Sequence, residues 1–226
     1  MYLDSSEYNE LKSLIAQICS ISKNMTNSTL DAFNNIDKDL AKKVMETDKE
    51  LDKYCMETDD LSGQIIALHW PRGSDMRYII SIIKITSDFE RIGDHCKRIC
   101  KQIRKLSADS CLFTISPLKE LFLEVNTAIT SAAEAFYTLN IEKAEQVAAH
   151  DAAIDVLKSS TIKAIIQYMG SGSANLRAGV NMINIARRLE RMADHAKNIS
   201  EAVNYTVKGK NSHKDEDQND EESTVN

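Results

Sequence analysis

The sequence predicts an all-α protein of two tandem antiparallel three-helix bundles related by internal duplication, and three observations carry that prediction. The stretch from Asp88 to Ile99 returns, displaced by one hundred residues, from Arg188 to Ile199. Between Asp75 and Cys100 the alignment runs without a gap and nine of 26 pairs are identical, among them Glu90/Glu190, Arg91/Arg191, Asp94/Asp194, His95/His195 and Lys97/Lys197. A repeat at this period is a whole supersecondary module, too long for a short solenoid unit. Seven Gly and two Pro among 226 residues leave too little punctuation for sheets and tight turns. Finally, apolar residues recur at steps of mostly three, four and seven, as on an amphipathic helix.

The first helix is expected over about 7–36, with Leu11, Ile15, Ile18, Met25, Phe33 and Ile36 on its apolar face and Asn34-Asn35 at its end. A second runs over 37–70 and is stopped by Pro71, which lacks an amide donor and restricts the residue before it. Ser74 is the expected N-cap of a third helix reaching about Lys105, with the first motif in its middle. Ser116-Pro117 restarts a helix, since proline in a first turn loses no hydrogen bond. That helix ends near Leu139, Asn140 caps a fifth to about Met169, and Gly170 to Ser173 turns into a sixth ending near Thr206. The expected organisation is a first bundle over 1–106, a linker over 107–116, a second bundle over 117–208 and a disordered acidic tail over 209–226. Cys96, Cys100, Met169, Met182 and Met192 read as core filler, and Trp70 as a plug at the bundle end.

The net charge of −6 sits mostly in the tail, which leaves 26 bases and 28 acids before it. A near-neutral body argues against non-specific nucleic-acid binding, which needs surplus Lys and Arg. No apolar run approaches the ~20 residues of a membrane span, and the N-terminus carries acids in place of a signal peptide. Five irregularly spaced Cys read as reduced thiols. The expectation is a cytoplasmic protein, peripheral at the inner face of the membrane only through partners.

Glu90 and Asp94, like Glu190 and Asp194, are four apart and share a helix face, where like charges are mutually destabilising. The preceding helix of each half supplies a second pair, Asp48 with Asp52 and Asp151 with Asp155, at matching distance from the connecting turn. One such pair is ordinarily a solvated face with Lys97, Arg98, Arg187 or Arg191 as partners. Four pairs, duplicated and matched in height, point to metal ligation at mid-height in each half. All-oxygen donors suit hard cations such as Mg, Mn, Ca or iron better than thiophilic ones. His95 and His195 lie about 100° round the helix from the motif Asp and read as surface or bundle-contact residues.

The chain resembles the PhoU family of phosphate-signalling regulators. The resemblance is carried by Asp88 to Asp94, by Leu189-Glu190-Arg191 with Asp194-His195 and Asn198-Ile199, and by the helix starts Asp75-Met76-Arg77 and Asn175-Leu176-Arg177. It implies multinuclear clusters of divalent or trivalent ions (Mg, Mn, Fe or Zn) and no catalysis. It further implies a link between the ATPase subunit of a phosphate ABC transporter and a sensor histidine kinase, with repression when phosphate is plentiful. Asn198 joins the second ligand set as a further candidate. Its counterpart Arg98 brings a positive charge one turn from Asp94, a departure from the family pattern at the first site. Self-association as a homodimer is a further expectation for bundles with apolar faces.

Two enzymatic readings compete. His150-Asp151 forms a dyad on a helix, as in HD-type metal phosphohydrolases, but that mechanism wants further His ligands, and only His69 and His95 lie upstream. A ferritin-like di-iron oxidase uses Glu-x-x-His, and none of the five His has Glu three residues before it.

Overall fold

A computed structural model describes residues 6–106, 116–172 and 175–209. Six helices follow in order: α1 (Ser6–Asn35), α2 (Lys38–His69), α3 (Ser74–Ile103), α4 (Ser116–Thr138), α5 (Ile141–Gly170) and α6 (Leu176–Lys208). No strand occurs among the described residues. The 107–115 part of the expected linker and the tail beyond Gly209 lie outside them, while Ser116 opens α4.

The turns between the first two helices of each half are alike. α1 ends with Ile36 in the left-handed region at φ 51°, and Asp37 N–H reaches back to Ala32 O at 2.9 Å. α4 ends with Leu139 at φ 51°, and Asn140 N–H reaches Ala135 O at 2.9 Å. Both are the long-range closure that satisfies a helix's last carbonyls. The next residue caps the following helix, Asp37 accepting from Asp39 and Leu40 amides and Asn140 from Lys143. Ser74 departs from expectation: it is already helical, and the cap position falls on Gly73 at φ 59° with no side-chain cap bond. Trp70 is likewise no plug, being 77% exposed at the left-handed end of α2.

α3 and α6 form the centre. Each buries thirteen residues against five on α5, because each packs within its own bundle and also along the other. The two bundles therefore share a wall instead of standing apart. Phe33 stacks on Phe122 and Tyr78 on Phe136 across that junction. Polar contacts add direction to it. Thr206 donates to Ser81 at 2.8 Å, Ser81 to Ala202 O at 3.4 Å, Arg77 Nε to Thr206 O at 3.4 Å, and Asn126 to Asn27 at 2.7 Å. Cys96 and Cys100 are buried with Met182 and Met192, while Met169 packs partly buried against the core.

Candidate metal centre

The apolar stripe of α2 is interrupted at Asp48, whose side chain faces α3 and is 1% exposed. The Lys97 ammonium on α3 donates to Asp48 Oδ2, while Asp48 Oδ1 is buried without a hydrogen-bond partner among the described residues. Lys97 also lies 3.9 Å from Asp94, which takes a 3.3 Å contact from Arg98. Asp52 completes the group. Its carboxyl is raised above the usual range by partial burial, then by the charges of Asp48, Glu90 and Asp94, with Lys97 opposing. Gly93 lets the helices close here: a Cβ on it would meet Leu51 Cδ2 at 2.6 Å and Asp48 Oδ1 at 3.4 Å.

The second half repeats the plan more openly. Lys197, the repeat counterpart of Lys97, donates to Asp151 at 2.9 Å, and Lys158 donates to Glu190. Asp194 is raised by partial burial and by Asp151, Glu190 and Asp155, with His195 opposing. Asp155 and Asp194 are exposed. Asn198 turns elsewhere, its amide donating to Asp88 Oδ1 at 3.1 Å across the α3–α6 seam.

Eight of the nine sequence-derived residues thus form two carboxylate groups, four in each half. The groups gather without converging: among the described residues, no three His, Cys, Asp or Glu side chains surround a common point. The reason is visible in the partners, since Lys97, Lys158 and Lys197 each draw one carboxylate toward themselves. These ammonium groups occupy the place of a cation among like charges. The all-carboxylate donor set and the unpartnered buried Asp48 oxygen have the chemistry that a hard metal ion takes. The lysines are the residues that sequence reasoning undervalued. Lys97/Lys197 was already an identical pair in the repeat, whereas Lys158 left no comparable signal.

The histidines join the halves. His95 is 7% exposed and stacks on His195 with ring centroids 5.8 Å apart. His195 Nδ1 donates to Asp88 at 2.9 Å, since a carboxylate can only accept. The HD-like dyad comes apart, because His150 pairs with Glu124 at 2.8 Å and Asp151 with Lys197.

The architecture defines a class, the all-helical protein built from two duplicated three-helix bundles. The PhoU domain model matches residues 15–103 and 118–203, and the chain belongs to the PhoU family. It is 30% identical over 206 residues to the phosphate-specific transport system accessory protein PhoU homolog 1 of Thermotoga maritima, covering 91% of this chain and 89% of that one. With the accessory protein PhoU of Escherichia coli it shares 28% identity over 210 residues, 91% and 87% of the two chains. The crystal structure of PhoU from Pseudomonas aeruginosa superposes with a TM-score of 0.84 at 27% identity, covering 91% of this chain and 99% of that one. The phosphate transport system regulatory protein PhoU from Streptococcus pneumoniae gives 0.81 at 26% identity, with 90% and 96% covered. Each name is that of an accessory or regulatory protein and not of an enzyme. No described helix is long and apolar enough to cross a membrane.

Proposed function

We propose that this chain is a cytoplasmic, non-enzymatic regulator of phosphate transport that binds divalent or trivalent metal ions and acts on partner proteins. The observation that carries the reading is the duplicated carboxylate group, in a family whose named members serve phosphate transport. Asp48, Asp52, Glu90 and Asp94 hold the ion in the first half, and Asp151, Asp155, Glu190 and Asp194 in the second. A bound Mg, Mn, Fe or Zn ion supplies concentrated positive charge that offsets repulsion within each group. Lys97 and Lys197 supply part of that charge themselves by neutralising Asp48 and Asp151. The partners in this reading are the ATPase subunit of a phosphate ABC transporter and a sensor histidine kinase, engaged by a homodimer when phosphate is plentiful.

Metal analysis of untagged protein purified without chelator tests the first element, beside a variant in which Glu90, Asp94, Glu190 and Asp194 are replaced by Ala. More than one ion per chain, lost in the variant with helicity retained, is the expected result. No metal after loading with any of these ions would remove the metal element. Pull-down of the transporter ATPase and the kinase tests the regulatory element separately.

A further inference from the structure

The α3–α6 seam is pseudo-symmetric, and its two sides are finished differently. On one side Asp88 of α3 faces α6, where its carboxylate takes hydrogen bonds from His195 Nδ1 at 2.9 Å and Asn198 at 3.1 Å. Displacement by one hundred residues carries Asp88 to Arg188, His195 to His95 and Asn198 to Arg98. The acceptor of one side is thus replaced by a cation on the other, and the amide donor by a second cation. His95 Nδ1 and Arg188 Nε are both buried without a hydrogen-bond partner among the described residues. Arg98 follows His95 by three residues on α3, and Arg191 follows Arg188 by three on α6, so each pair shares one helix face. The charges of Arg98 and Arg191 are felt at both His95 and Arg188. Asp94 contacts Arg98 at 3.3 Å and exerts an opposing charge on Arg188. Among these side chains one carboxylate stands against three guanidinium groups, and Arg188 Nε and His95 Nδ1 are left without partners among the described residues.

We propose that His95, Arg98, Arg188 and Arg191 form a binding site for a small dianionic oxyanion of the phosphate or sulfate type. The anion occupies the role that the Asp88 carboxylate plays on the opposite side. Guanidinium forks match tetrahedral oxyanions by paired hydrogen bonds, and His95 adds a neutral donor at the closed end. Arg98 is about half exposed and Arg191 exposed, so the site opens to solvent. This goes beyond the metal reading and does not depend on it.

The test is isothermal titration calorimetry of the full chain with inorganic phosphate, sulfate and chloride. Arg188→Asp supplies an internal carboxylate copied from the other side, and Arg98→Asn copies Asn198. The expected result is one phosphate per chain, competed by sulfate and not by chloride. Arg188→Asp should weaken binding by ~10-fold or more, as loss of a charge-assisted pair implies, while circular dichroism keeps its wild-type helicity. Should Arg188→Asp fail to fold, Arg98→Asn carries the test, with a loss of several-fold expected. Asp48→Asn with Asp151→Asn separates this site from the carboxylate groups, and phosphate affinity should survive it. Affinity unchanged in both arginine variants, or abolished only by the aspartate variants, would overturn the proposal, as would absence of binding in wild type.

Discussion

The two carboxylate groups descend from one repeat, yet Asp48 of the first is sealed and Asp151 of the second is not. Asp48 is enclosed under Lys97, whereas Asp151 and Lys197 meet nearer the surface, where the Lys197 side chain is 39% exposed. Gly93 admits Leu51 and Asp48 close to the surface of α3, and its repeat counterpart Ala193 carries a methyl group at that position. The same ion pair should therefore be costly to break in the first half and cheap in the second. Burial, and not the identity of the charges, decides what such a pair contributes.

Lys97→Met should give the largest effect, since it strands a buried carboxylate: a loss of about 3 kcal/mol by urea unfolding in chelator. Lys197→Met should cost about 1 kcal/mol or less. Equal losses would erase the distinction between the halves. Added divalent metal should recover part of the Lys97→Met loss if the first group binds it.

The seam offers a pH test of nearly the same size. His95 is pushed down to about 4, chiefly by burial, then by His195 and by Arg188, Arg98 and Arg191. The folded state thus keeps His95 neutral while the unfolded chain binds its proton near pH 6.5. Its contribution is fully present above that pH and is lost as pH falls toward 4, up to roughly 3 kcal/mol. Unfolding curves at pH 7 and pH 5 should diverge less for His95→Gln than for wild type.

Smaller changes probe the methyl itself. Gly93→Ala gains helix propensity but must displace Leu51, and a net loss of about 1 kcal/mol is expected in thermal melts. A gain would show that Leu51 yields freely. At the turns, Leu139→Gly relieves a left-handed backbone at a partly exposed position and should stabilise by about 1 kcal/mol. Ile36→Gly should gain less, because Ile36 also packs against the core.

Helix order and most helix ends were legible from Pro71, Asn140 and the apolar periodicity, each of which acts locally. The carboxylate groups were legible because duplication and matched height left a trace in the spacing. The shared wall was not, since periodicity identifies an apolar face without saying which helix covers it. Ile36 and Leu139 were hidden for a related reason: β-branched Ile and bulky Leu disfavour the left-handed region, and the tertiary closure overrides that preference. Lys158 was unreadable because its reach to Glu190 depends on how α5 and α6 rotate against each other.

The seam between α3 and α6 has the form of an interface between two copies of one helix. In a true twofold assembly of identical chains, every position faces the partner with the same residue on both sides. An acid at position 88 would then require an acid at its mate, and the axis would repel or satisfy both alike. Joining the copies into one polypeptide lifts that constraint, so one side can close on Asp88 while the other keeps Arg188 in reserve. Broken symmetry gives a single chain two unlike ends of one contact, which a homodimer of half-length chains has no means to encode.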